Sequence, residues 1–253
     1  MHAKLKTMKK LTLLVNICFL GGLLVLSMHS HALENNSPGA QNTNGAEQQA
    51  TIVQATVRET VSKEDPYKMI QQVAEQTFAR MKKEQANIKE NPEILRDIME
   101  QELMPYIDYR FSAFKVLGRN AQRLEKKDLQ EFVRVFKEYL ITSYAIAMGY
   151  YEDQTVEYEP AADFNDRTDV TVRAVIKDEV RPDIKVAFKV RKARKSNDWM
   201  AYDMIAEGIS LLSSKQSEFE TIIRKDGIQN VIALMRKTID RPITLQTEQA
   251  SAN

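Results

Sequence analysis

Apolar residues recur along the chain with two different periods. Between Tyr67 and Tyr151 they follow the three-to-four-residue spacing of amphipathic helices. From Gln154 the period shortens to two, which is typical of strands that have one apolar and one polar face. After Gly208 the helical spacing returns and continues to Pro242. This order predicts an α+β fold in which helices precede and follow a single antiparallel sheet.

Prolines and glycines set the boundaries of the predicted helices. Asp65-Pro66 and Asn91-Pro92 each place a capping side chain before a proline at the first helical position. The second of these helices is expected to end at Pro105, and the longest helical pattern spans residues 127–151. Two further helices, separated at Gly227, are expected after the sheet.

Four alternating segments predict a four-stranded antiparallel meander with one apolar face. They are Val156–Tyr158, Val170–Ile176, Ile184–Val190 and Trp199–Ile205. Residues 132–151 of the long helix are the expected cover of the apolar face. The residues that would then meet are Phe136, Leu140, Tyr144 and Met148 on the helix and Val172, Ala174, Ile176, Val186, Phe188, Val190, Tyr202 and Met204 on the sheet. A packed core is the default interpretation of such a set.

The N-terminus has the three parts of an export signal. Lysines precede an apolar run from Leu11 to Met28, and Ser30-His31-Ala32 fits a small-residue cleavage site. We therefore expect cleavage after Ala32, with a retained membrane anchor as the alternative. Residues 33–65 contain no aromatic residue and no sustained period, which predicts a disordered leader before a domain at 66–245 and a tail at 246–253.

Removal of the signal restricts the chemistry open to the protein. All three histidines and the single cysteine lie within residues 1–32. The mature chain therefore cannot form zinc sites built on histidine or cysteine, or Ser–His–Asp and Cys–His catalytic centres. The remaining chain is slightly acidic, because the signal carries lysines and no acid, and we expect no nucleic-acid partner.

Three polar clusters are candidates for binding or catalysis. Oxygen-bearing residues at 163–169 lack the glycine and the closing glutamate of a calcium loop, so a turn is the favoured interpretation. Tyr202, Asp203 and Glu207 could supply a general base and a hydrogen-bond donor to a small-molecule enzyme, although a structural role for Asp203 is favoured. A basic stripe could protect a sheet edge or bind an acidic partner. It comprises Arg173, Lys177, Arg181, Lys185, Lys189 and Arg191.

The segment "WMAYDMIAEGISLLSSKQSEF", from Trp199 to Phe219, resembles the MlaC family of periplasmic phospholipid-binding proteins, also called the toluene-tolerance family. "MPYIDY", "VLGRNAQ", "FVRVFKEYLITSYAIAMGYYEDQTVEYEP" and "VRAVIKDEVRPDIKVAFKVRK" resemble other family segments in the same order. The similarity spans roughly Pro66 to Leu245.

The resemblance implies a phospholipid carrier without catalysis, cofactor or metal. In this family a pocket between a curved sheet and helices holds the acyl chains. The protein exchanges its lipid between an outer-membrane lipoprotein–porin complex and an inner-membrane ABC transporter with a ring of MCE domains. By position, Ile209 would line the pocket with the apolar set above, and Arg181 and Lys185 would contact partners. The alternatives are an envelope adapter that uses the basic stripe and a cavity enzyme that uses Asp203 with Tyr202.

Overall fold

The computed structural model describes residues 60–151, 154–178 and 182–245. The predicted signal peptide, most of the predicted leader, the tail at 246–253 and Arg181 lie outside these ranges. The last residues of the predicted leader pack on the domain. Val61 is buried and donates its N–H to the Tyr106 hydroxyl, while the Lys63 carbonyl accepts the N–H of Trp199. The folded domain therefore begins by Val61 rather than at Pro66.

The helices follow the predicted order. They are α1 (Pro66–Lys83), α2 (Gln85–Glu90), α3 (Ile94–Ile98), α4 (Tyr109–Leu117), α5 (Lys126–Met148), α6 (Leu211–Asp226) and α7 (Ile228–Ile239). As the sequence predicts, the Asp65 carboxylate caps α1 by accepting the N–H groups of Tyr67 and Lys68. A π-helical segment and a short 3₁₀ turn follow α3, where Pro105 has no N–H to continue the helical hydrogen bonds.

The sheet is an antiparallel meander in the order β1-β2-β3-β4-β5. Its strands are β1 (Thr155–Tyr158), β2 (Asp169–Lys177), β3 (Ile184–Lys192), β4 (Trp199–Ala206) and β5 (Ile209–Ser210). The four predicted strands are present, and β5 adds a fifth. Glu207 and Gly208 both have positive φ angles, 50° and 80°, which suits a two-residue hairpin turn. The turn folds Ile209 and Ser210 back on β4 before α6 begins.

A β-bulge changes which residues of β4 share a face. Val190 pairs with Ala201 and Phe188 pairs with Met204, so Ala201 and Met204 lie on the same face although three positions separate them. Tyr202 instead points to the opposite face, where its hydroxyl donates to Asp169 at 2.9 Å. The expectation that Tyr202 and Met204 share a face is therefore wrong. We call the face with Phe188 and Val190 the inner face and the other the outer face.

The described part of the domain contains three apolar clusters. In the first, α5 packs with α4, α6 and α7. In the second, Met69, Ile70 and Val73 of α1 cover part of the inner face. In the third, the C-terminal part of α5 packs with the end of α1, α3 and the segment after it.

The expected cover of the sheet by α5 is wrong, because α5 packs chiefly on other helices and α1 lies on the sheet instead. Among the described residues, no helix is long and apolar enough to cross a membrane.

Candidate functional site

One row of side chains crosses the inner face from one edge of the sheet to the other. Tyr158, Ala174, Val186, Ala206 and Ile209 are directly opposite one another on the five successive strands. Directly paired residues of antiparallel strands place their side chains on the same face. Two of the five are alanines, whose side chains extend least far above the sheet. We call these residues the inner row.

Four of the five members of the inner row, all but Tyr158, lie outside the three apolar clusters. Ala174 and Val186 are only 2% and 6% exposed, yet among the buried apolar residues of the described ranges they alone belong to none of the three clusters. Ile176, Ile184 and Met204, in the rows on either side, are partly exposed and also lie outside the clusters. Interiors are normally close-packed, so this half of the inner face is the part of the sheet best suited to an apolar ligand.

Ile209 ends the inner row at the edge of the sheet. It is 44% exposed, and it is one of two large apolar side chains that stand out as exposed in the described chain. Its pairing with Ala206 aims its side chain to the inner face. An exposed apolar residue that continues an apolar row is consistent with the mouth of a binding site.

The other predicted pocket residues fall into different surroundings. Val172, Phe188 and Val190 pack under α1. Phe136 is buried among α4, α6 and α7, and Leu140 lies at the border of that cluster and the one formed by the end of α5. Tyr144 and Met148 pack in the latter cluster, where Phe78 of α1 stacks on Tyr151. The structure thus brings Ala174, Ile176, Val186, Met204 and Ile209 together on the inner face and places Tyr202 on the outer face.

Sequence reasoning missed three members of this face. Ile184 follows the same alternation as Val186 and could have been included from the pattern alone. Ala206 follows Met204 by two positions and could also have been included from the alternation of β4. Tyr158 lies at the far end of the inner row, where burial and the nearby Glu75 carboxylate raise the pKa of its phenol to about 12. It therefore stays neutral and can end an apolar surface at neutral pH.

Asp203 has a structural role. One of its carboxylate oxygens accepts the Ser210 hydroxyl at 2.7 Å, and the other accepts the N–H of Leu212 at 3.0 Å, so the side chain supports the first turn of α6 beside its N-cap, Ser210. The Glu207 carboxylate accepts the N–H of Lys185 at 2.6 Å and fixes the β4–β5 turn. Burial, with the hydrogen bond to Asp169, raises the pKa of Tyr202. These contacts do not assemble the base and donor of a cavity enzyme.

Replacing Asp203 with alanine should lower the free energy of unfolding by about 1–2 kcal/mol, because the Leu212 N–H in the first turn of α6 and the Ser210 hydroxyl lose their shared acceptor. Asp203→Asn keeps one acceptor oxygen and should lose less. Urea unfolding measures both changes, and any ligand carried by the wild type should be carried equally by the folded variants. A variant that stays as stable as the wild type but loses its ligand would instead indicate a direct functional role.

The basic stripe is only partly free on the outer face. Arg191 pairs with Asp108 at 2.7 Å, and Lys177 pairs with Asp183 and Glu157. Arg173 and Lys185 are exposed and have no ion-pair partner in the described chain. Arg181 lies outside the described residues. Within those residues, no group of three or more acidic side chains could hold a metal ion, and the Asp163 carboxylate accepts the N–H of Asn165 in a turn.

Comparisons with known proteins agree with this architecture. A relative from Haemophilus influenzae, the intermembrane phospholipid transport system binding protein MlaC, is 29% identical over 187 residues, covering 74% of this chain and 87% of its own. The solved structure of a phospholipid-binding protein from Ralstonia solanacearum, in complex with a phospholipid, superposes with a TM-score of 0.62. It is 22% identical, and the match covers 69% of this chain and 97% of that one, which shows the shared fold.

A family profile described as MlaC protein matches residues 71–237, well over half of the sequence. The matched range runs from α1 into α7 and includes the whole sheet with its inner row. The α+β fold predicted from the periodicity is confirmed, and this chain belongs to the MlaC family.

Proposed function

We propose that this protein is a periplasmic carrier that binds one phospholipid by its acyl chains against the inner face of the sheet. The observation that carries the proposal is the inner row, a continuous apolar row in which the buried Ala174 and Val186 take part in none of the packed clusters. The phospholipid in the related Ralstonia structure and the transport function named for the Haemophilus relative support it.

Burial of methylene groups is the energetic requirement for such a carrier. Each buried methylene contributes ~0.8 kcal/mol, so the protein must cover most of both acyl chains to compete with a bilayer. The inner row and its neighbours Ile176 and Met204 offer an apolar wall, and Ile209 offers an exposed apolar edge where chains could enter. The headgroup can stay in water and needs no dedicated site. The cluster at the end of α5, with Leu140, Tyr144 and Met148, would face the chains from the helical side.

In this proposal the carrier moves phospholipid between an outer-membrane lipoprotein–porin complex and an inner-membrane ABC transporter with an MCE ring, and so maintains outer-membrane lipid asymmetry. The chain enters the periplasm through the signal at residues 1–32 and loses it after Ala32. The exposed Lys185, together with Arg181, would contact these partners. The carrier has no catalytic residue or cofactor, and the phospholipid is cargo.

Native mass spectrometry of protein purified from the periplasm tests the proposal. We expect a mature mass that begins at Leu33 and an adduct of one phospholipid that survives gentle desolvation. Extraction with organic solvent should release the same lipid, which identifies its headgroup and chains. Protein that carries no adduct and takes up no lipid from vesicles would contradict the carrier function and favour an adapter with a solid core.

A further inference from the structure

An open recess lies on the outer face of the sheet, away from the inner row. Its volume is about 450 Å³. It is lined by Asp108, Phe111, Arg191, Ala193, Arg194 and Lys195. Phe111 belongs to α4, and Arg191 is near the end of β3, just before the turn to β4. The lining therefore combines an aromatic wall with three basic side chains and a single acid.

The wall of the recess is held rigidly. The Arg191 guanidinium lies 4.1 Å from the centre of the Phe111 ring, and Lys115 lies 5.5 Å from the same ring. The Asp108 carboxylate accepts a hydrogen bond from Nη1 of Arg191 at 2.7 Å. It also caps α4 by accepting the N–H of Phe111. The rotamers of Arg191 and Phe111 are thus restricted by contacts within the protein, which reduces the entropy lost when a ligand binds.

Two cations in the recess have no charge partner. Arg194 and Lys195 are exposed in the β3–β4 turn, and no carboxylate of the described chain pairs with either. The turn itself is ordered by hydrogen bonds from the Ala193 N–H to the Asp198 carbonyl and from the Asn197 N–H to the Ala193 carbonyl. Because the one acid, Asp108, is already matched by Arg191, the recess presents an excess of positive charge that favours an anionic ligand.

An exposed aromatic side chain lies on the same helix as the aromatic wall of the recess. Phe114 is 46% exposed and lies three positions after Phe111 on α4, so both rings are on the same side of the helix with Lys115. A hydrophobic group flanked by basic residues is typical of a protein-docking surface.

We propose that the recess is a docking site for an acidic peptide segment of a partner protein, distinct from the lipid-binding face. Carboxylates of the segment pair with Arg194, Lys195 and the free side of Arg191, and an apolar side chain packs on Phe111 and Phe114. A recess suits a narrow peptide, whereas a bilayer surface is broad and would meet only its rim. Docking through the outer face leaves the inner row free, so a partner can hold the protein while lipid enters or leaves.

The test measures fluorescence anisotropy of a labelled short peptide of alternating Glu and Asp with one central Phe, binding to the full mature protein at low salt. Arg194→Glu with Lys195→Glu should weaken binding at least about tenfold. The matched control, Arg224→Glu with Lys225→Glu, reverses the same two residue types at the exposed end of α6. It gives the same net charge and should change binding by less than about twofold. Circular dichroism confirms that both variants fold.

Two additional arms distinguish the ligand class. A peptide with Ala in place of Phe should bind more weakly to the wild type, and Phe114→Ser should remove that difference. Vesicles of phosphatidylglycerol and phosphatidylcholine should bind the Arg194/Lys195 variant and the control equally.

Absence of peptide binding to the wild type would overturn the proposal. Equal weakening in both charge-reversed variants would do the same, as would vesicle binding that alone depends on Arg194 and Lys195. None of these experiments measures lipid loading. A negative result for peptide docking would therefore leave the proposed carrier function standing.

Discussion

Ile176→Glu should abolish phospholipid loading while Val175→Glu leaves it near the wild-type level. The two residues are neighbours on β2, and both are partly exposed, so a glutamate at either position can be accommodated in the fold. Ile176 is on the inner face, one row from Ala174 and Val186, whereas Val175 is on the outer face opposite Lys185. Only the carboxylate introduced by Ile176→Glu would meet acyl chains.

The expected size of this effect follows from the cost of burying a carboxylate against hydrocarbon. An unpaired charge in such surroundings costs many kcal/mol, and the group either becomes protonated or keeps the chains out. We expect no lipid adduct of Ile176→Glu in native mass spectra at neutral pH and a normal adduct of Val175→Glu. Thermal unfolding checks that both are folded. Equal loading of the two variants would contradict the proposal that the acyl chains lie on this half of the sheet.

The sequence predicted each element more accurately than it predicted the contacts between elements. Periodicity located α5 and all four long strands, because a side chain's position on its own helix or strand depends only on local geometry. It did not show that α5 packs on other helices while Met69 and Val73 of α1 cover the sheet. Both helices have apolar faces, and nothing in a face specifies which partner will bury it.

Two local features explain the remaining differences at the site. The bulge at Tyr202 adds one residue to β4, which a strict count of alternating positions cannot reveal, and it places Ala201 on the inner face and Tyr202 on the outer face. The turn at Glu207-Gly208 was visible as a glycine, but the strand that follows it has only two residues and carries no pattern of its own. Ile209 reaches the inner row through that short strand.

The start of the domain is a further place where composition did not predict packing. Residues 33–65 have the composition of a leader, and the hydroxyl of Tyr106 binds Val61 within it. A single buried valine and two backbone hydrogen bonds are enough to order the end of such a segment, and too few to give it a detectable period.

Asp108→Ala should destabilise the fold more than the loss of a helix cap alone would. Asp108 joins α4 to β3 with two contacts, the cap on the Phe111 N–H at 3.1 Å and the ion pair with Arg191 at 2.7 Å. Removing it uncaps the helix and leaves a mostly buried guanidinium beside Phe111 without its partner. The two losses together should lower the free energy of unfolding by about 2–4 kcal/mol, the upper end applying only to fully buried pairs.

Asp65→Ala is the matched control, because Asp65 caps α1 in the same way and its only ion pair within the described residues is a long, exposed one with Lys68 at 3.8 Å. It should cost only about 1 kcal/mol. The double variant Asp108→Ala with Arg191→Met should recover part of the loss, since it removes the unpaired charge and keeps an apolar side chain on the Phe111 ring. Urea unfolding of the three variants measures these differences. If Asp108→Ala were no more destabilising than Asp65→Ala, the ion pair with Arg191 would contribute no net stability.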